Sequence, residues 1–243
     1  GNPRPRLFRI PEEGAMINRM GFPNRGAAYL ARRLKTRRPG GLILGVNIAK
    51  NKDTPLEQAA EDYVQLVNVF APLADYLAIN VSSPNTVGLR RLQERQALGN
   101  LLNQVAQARA ERRAELGRSI PLLVKLAPDL STAELEGALD AILASGIDGV
   151  IATNTTLSRQ GLRSPLASES GGLSGAPLRE RSTEIIRKIH AYTQGKIPVV
   201  AAGGIMSAVD AQQKLDAGAT LLQVYTGLIY AGPGLIRQII QAT

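Results

Sequence analysis

Asn80-Val81-Ser82-Ser83-Pro84-Asn85-Thr86 brings three hydroxyls and two carboxamides within seven residues. Carboxamides donate and accept, so they suit a ligand edge of alternating N–H and C=O groups. A hydroxyl moves protons only when its own proton can leave through a partner or water. Further groups of the same kind sit at the ends of other apolar runs: Asn47, Lys125, Thr153-Asn154-Thr155, Gly203-Gly204 and Tyr225-Thr226. A neutral core needs neither a lysine nor several carboxamides, because unpaired polar groups are costly to bury. These residues therefore read as one gathered site.

The elements that would gather them follow from the apolar runs. Tyr76-Leu77-Ala78-Ile79 is a buried strand that Pro84 terminates, since proline has no N–H for a ladder. Leu42–Asn47, Leu122–Leu126, 149–155, 199–204 and 221–227 are five more strands. Helices are expected between them, two with capping boxes at Thr54-Pro55-Leu56-Glu57 and Ser131-Thr132-Ala133-Glu134. A long helix is expected over Ala97 to Glu115, and the helix after Ser131 ends at Gly146. Ahead of these lies a hairpin, Leu7–Ile10 with 15–18, closed by a Pro/Gly turn. Asn24 is placed to cap a helix over Ala27 to Leu34. Strands alternating with helices imply a parallel sheet, and apolar strands imply burial on both faces. Polar residues at the C-terminal strand ends are where α/β barrels keep their chemistry. Gly171 to Gly175, Gly203-Gly204 and Tyr225-Thr226-Gly227 offer bare N–H groups late in the series, where such barrels bind phosphate.

Composition narrows the partners. The chain has 243 residues, 44% hydrophobic, and reads as one domain. It contains no cysteine, which excludes disulfides and thiolate chemistry, and its single histidine, His190, falls on a solvated helix position. No metal site is expected. The net charge of +9 is concentrated at Arg4, Arg6 and Arg9, at Arg32 to Arg38, and at Arg109, Arg112 and Arg113. With aromatics at 4% and no tryptophan, stacking platforms for nucleic acid are missing. An anionic small ligand or an acidic membrane surface fits the charge better. No apolar stretch reaches the roughly 18 residues of a membrane span.

The loop at Asn80 to Thr86 with Gly88-Leu89-Arg90 resembles the active-site loop of dihydroorotate dehydrogenases. So do Val124-Lys125-Leu126-Ala127-Pro128-Asp129, Thr153-Asn154-Thr155-Thr156 and Gly171 to Gly175. The resemblance runs from Pro3 to the C-terminus. It is greatest to the class 2, quinone-dependent branch that carries FMN; the class 1 branch is similar in fold but uses a cysteine base, and this chain has no cysteine. It implies an α/β fold, the (β/α)8 TIM barrel, and oxidation of dihydroorotate to orotate in pyrimidine biosynthesis. Ser83 would be the catalytic base, with Thr86 as a relay. Asn47, Asn80, Lys125, Thr153, Gly175, Gly204, Tyr225 and Thr226 would bind FMN. Asn18, Arg19, Met20, Gly21, Phe22, Asn80, Asn85, Asn154 and Thr155 would surround the substrate.

Six strands fall two short of such a barrel. The resemblance places the family's first two strands, a lysine that touches substrate and a membrane-meeting helical pair upstream of the hairpin. Residues 1–243 are therefore expected to form a single FMN-binding barrel domain, N-terminally incomplete. The whole protein is expected on the cytoplasmic side of a membrane, held peripherally by a segment outside this chain, with a quinone as partner and no nucleic acid. The alternatives are a class 1-type enzyme, another phosphate-binding barrel enzyme, or an inactive fragment.

Overall fold

The computed structural model describes residues 1–36 and 40–243. The basic stretch Arg32 to Arg38 thus lies partly outside the described residues, at Arg37 and Arg38. Six parallel strands form the main sheet: β3 (Gly45–Ile48), β4 (Tyr76–Asn80), β5 (Leu122–Leu126), β6 (Gly149–Ala152), β8 (Val199–Ala202) and β9 (Leu221–Gln223). Their order is β3-β4-β5-β6-β8-β9, so neighbours in sequence are neighbours in space, as in a barrel. The expected six-strand parallel series is present.

Helices α2 (Ala59–Phe70), α3 (Arg95–Leu116), α4 (Thr132–Ala144) and α5 (Arg179–Thr193) return the chain between strands. So does α6 (Ala208–Asp216), while α7 (Thr226–Ala231) and α8 (Gly234–Ala242) follow β9. The apolar faces of α2 to α5 meet one face of the sheet in the main core, where Leu77, Ile79, Leu122, Val124, Leu126 and Val150 pack against Tyr63, Val67, Leu102, Leu139 and Ile186, while α6 and α8 pack together around Ile205. Alternate residues turn the other way. Ala78, Ile151 and Ala202 form a small inner layer with Leu123 and Val200. The period of two then carries Asn47, Asn80, Lys125, Thr153 and Gln223 to that inner face, at or just past the strand ends. In register, Asn80 pairs with Lys125 and Lys125 with Ile151.

The hairpin is β1 (Leu7–Ile10) and β2 (Ala15–Asn18), as expected. Gly171 to Gly175 proves to be more than a turn before a helix. It contains a third antiparallel strand, β7 (Gly172–Gly175), paired with β2. Glycine hid it, since glycine carries no strand propensity. Its partners require glycine: at Gly175 a side chain would run into the carbonyl of Gly14. Ile10, Ala15, Ile17 and Leu173 face Leu162 and Leu166 on one side. Met16, Asn18 and Ser174 face the inside of the main sheet.

Several local expectations are corrected. Leu42 and Ile43 lie outside β3 and are exposed, because β3 is an edge strand with one side uncovered. Burial on both faces thus holds for the central strands and not for β3 or β9. Thr54 forms no capping box: its carbonyl accepts from Lys50 Nζ, and a 3-10 turn over Leu56–Gln58 precedes α2. Asn24 Oδ1 accepts from Gly26 N–H in a turn ahead of α1 (Ala27–Thr36) rather than capping within it. The strands expected to run to Thr155 and Gly227 stop at Ala152 and Gln223. The Ser131 capping box is formed, and His190 is exposed.

Candidate functional site

The inner strand ends and the antiparallel sheet enclose a cavity of about 550 Å³. Of the residues singled out from sequence, Asn18, Met20, Phe22, Asn47, Asn80, Lys125, Thr153, Asn154, Thr155, Gly175, Gly204, Tyr225 and Thr226 line it. Arg19, Gly21, Ser83 and Asn85 do not. Arg19 is committed elsewhere, with Nη1 on Glu169 Oε2 at 2.7 Å and its guanidinium over the Phe8 ring.

Asn80 is the hub. Its backbone carbonyl accepts from the buried Tyr63 hydroxyl at 2.9 Å. Its Nδ2 donates to Asn47 Oδ1 at 3.1 Å, and its Oδ1 accepts from Ser82 N–H, Ser82 Oγ and Asn154 Nδ2. Asn154 Oδ1 in turn accepts from Thr155 N–H at 2.8 Å. Three strand ends are thereby fixed relative to one another before any ligand is present. Burial raises the Tyr63 hydroxyl well above its ordinary range, so it stays a neutral donor.

Ser83 is buried at the loop, where its Oγ accepts from Asn85 N–H at 3.2 Å. Among the described residues its hydroxyl has no protein acceptor, and no hydrogen bond joins it to Thr86. Asn85 Nδ2 donates to Asn18 Oδ1 at 3.1 Å, while Asn85 Oδ1 is buried without a partner. An orphaned buried acceptor beside other carboxamides calls for a donor from a ligand.

Lys125 reaches across the cavity to Gln223 Oε1 at 3.0 Å. Among the described residues no carboxylate pairs with it: Asp129 is engaged by Arg90, Thr156 and Leu157. Burial alone pulls the ammonium down to about 8. A desolvated cation without a counter-charge, facing open space, is suited to a ligand that carries or develops negative charge. Gln223 was not singled out from sequence. Its signal was there, since a glutamine in Leu221-Leu222-Gln223-Val224 shares the inward parity of Asn80 and Lys125.

At the other end, Gly203-Gly204 and Tyr225-Thr226 follow β8 and β9 side by side. Gly204 has φ +73°, and a side chain there would overlap the backbone of Arg179. Thr226 Oγ1 donates to Ser174 Oγ at 2.9 Å, tying this end to β7. One end thus offers backbone N–H groups, and the middle offers carboxamides and a cation. The Asn18–Asn85 pair stands at the opposite rim. That donor set fits an anionic group at one end and a polar, amide-bearing ligand in the middle.

The family model for dihydroorotate dehydrogenase matches residues 1–243. A relative from Halorhodospira halophila, dihydroorotate dehydrogenase (quinone), is 51% identical over 100% of this chain and 71% of its own length. One of the same name from an Anaeromyxobacter species is 52% identical, covering 98% of this chain and 65% of its own. The crystal structure of an Eimeria tenella enzyme in complex with ferulenol superposes with a TM-score of 0.91 at 39% identity. It covers 100% of this chain and 70% of that one. The chain therefore spans about two thirds of the length of such relatives.

Proposed function

Because this chain belongs to the dihydroorotate dehydrogenase family, whose members oxidise dihydroorotate, we propose that it is the catalytic part of a quinone-dependent enzyme carrying FMN. The observation that carries the reading is Lys125: a desolvated ammonium without a carboxylate, meeting Asn47, Asn80 and Thr153 in one cavity beside the serine loop.

FMN, when bound, supplies the two-electron acceptor for the hydride that leaves C6 of dihydroorotate. Asn47, Asn80 and Thr153 would hold its ring edge, and Gly175, Gly204, Tyr225 and Thr226 its phosphate end. Lys125 would place positive charge where negative charge grows during reduction. Asn18, Asn85, Asn154 and Thr155 would hold the amide and carboxylate edges of the pyrimidine, with Met20 and Phe22 shaping the rim. Ser83 Oγ takes the proton from C5 as its own proton passes to water, and a C5–C6 double bond results. Arg19 is committed away from the substrate, since its N–H donates to the Arg6 carbonyl, its carbonyl accepts from Asn2 and its guanidinium is engaged by Glu169.

Membrane contact belongs to the same proposal. Among the described residues no helix is long and apolar enough to cross a membrane. Peripheral attachment on the cytoplasmic side through a segment outside residues 1–243 is consistent with a quinone acceptor. The test is to load the chain, extended by the upstream strands this reading calls for, with FMN and add dihydroorotate without oxygen. Loss of the flavin's visible absorbance, followed by its return on adding a quinone, supports the reading. An unreactive flavin contradicts it.

A further inference from the structure

Arg90 lies in the 3-10 turn over Leu89–Gln93, beyond the serine loop. Its guanidinium makes three directed contacts. Nε donates to the carbonyl of Ser82 at 3.0 Å, and Nη2 to the carbonyl of Thr155 at 2.8 Å. Nη1 meets Asp129 Oδ2 at 2.6 Å. The Asp129 carboxylate then accepts from Thr156 Oγ1 and, at 3.0 Å, from Leu157 N–H. The turn itself is anchored by Gln93, which is buried, accepts from Ala127 N–H and donates to the carbonyl of Arg90.

The carbonyl of Ser82 belongs to the peptide whose N–H is that of Ser83. The carbonyl of Thr155 follows the Asn154-Thr155 pair. One planar fork therefore spans the serine loop and the carboxamide loop, and one carboxylate fixes the fork. Neither side chain lines the cavity. Resting on the reading of Ser83 as base, we propose that Arg90 and Asp129 are positioning residues that set the distance between Ser83 and the substrate. Proton transfer is sensitive to such distances, since a misplacement of about 1 Å can cost roughly 10²-fold. A lysine would keep the charge and lose the fork.

The test is a double-mutant comparison of flavin reduction by dihydroorotate in the FMN-loaded protein, with Arg90→Lys and Ser83→Ala alone and together. Arg90→Lys is expected to slow reduction about 10-fold when Ser83 is present and to have no effect in the Ser83→Ala background, because groups acting as one unit are not additive. Asp129→Asn should give a smaller fall with the same dependence on Ser83, and it serves if Arg90→Lys folds poorly. A readout without flavin accompanies these: amide hydrogen exchange should quicken at residues 82–87 and 155–157 and stay unchanged in α3. Equal losses in both serine backgrounds, or unchanged reduction with Ser83 present, would overturn the clamp. A wild-type flavin that dihydroorotate fails to reduce would instead overturn the functional reading, and the clamp's role with it.

Discussion

The proposed chemistry rests on two side chains, Ser83 and Lys125, and each makes a separate prediction. Ser83→Ala should slow flavin reduction by about 10²-fold or more, the range for a positioned base, while orotate binding survives. If Ser82→Ala has that effect and Ser83→Ala does not, the base is Ser82, whose Oγ already contacts Asn80 and Asn154. Lys125 predicts a pH dependence. Its ordinary value of 10.5 falls to about 8 on burial, so between those values the unfolded chain holds more protons than the folded one. Stability then rises with pH across that window, and the cost of the buried charge is fully present below it. Lys125→Met should raise the melting temperature of the flavin-free protein at pH 7, with the gain shrinking toward pH 10.5. In the loaded protein, Lys125→Ala should lower the flavin's reduction potential. Both residues were legible as types at strand ends. The contacts of Lys125 were not, because a four-carbon stem can reach Asp129 nearby in sequence or Gln223 across the barrel, and sequence spacing does not choose between them.

Strand ends and turns fix where those side chains point. The alternation in Leu77-Ala78-Ile79-Asn80 and Val124-Lys125-Leu126 made the inward face readable, since a period of two assigns each residue a side. The same rule did not expose β7, whose Gly-Leu-Ser-Gly sequence reads as a turn until β2 is laid beside it. Nor does it bear on Thr54, whose carbonyl accepts from Lys50 Nζ and where a 3-10 turn over Leu56–Gln58 takes the place of the expected capping box. The loop after β8 makes a sharp demand. Gly204 sits at positive φ against the Arg179 backbone, so Gly204→Ala must strain the chain or displace α5. Strain of this kind costs about 1–3 kcal/mol, so the variant should melt lower and lose at least 10-fold in FMN affinity, measured by fluorescence titration.

At the scale of the molecule, six parallel strands leave β3 and β9 as the sheet's edges among the described residues. Exposed Leu42 and Ile43 lie by one edge, and Leu221 and Tyr225 by the other. Unpaired edges beside apolar surface favour association. Residues 1–243 expressed alone should therefore elute as aggregates in size-exclusion chromatography and hold FMN weakly, and supplying the remaining length that its relatives have should restore both. The six-strand count was legible because each apolar run is bounded by Gly, Pro or a helix cap. The antiparallel sheet beside them was not, since its third strand lies some 150 residues from the hairpin it completes. The most direct measurement is the anaerobic absorbance of the FMN-loaded protein, in its extended form, as dihydroorotate is added, in wild type and in Ser83→Ala. The expected result is rapid loss of flavin colour in wild type and loss slowed by at least about 10²-fold in the variant. Equal rates in the two proteins, or a wild-type flavin that stays yellow, would contradict the assignment of Ser83 as the base of a dihydroorotate-oxidising site.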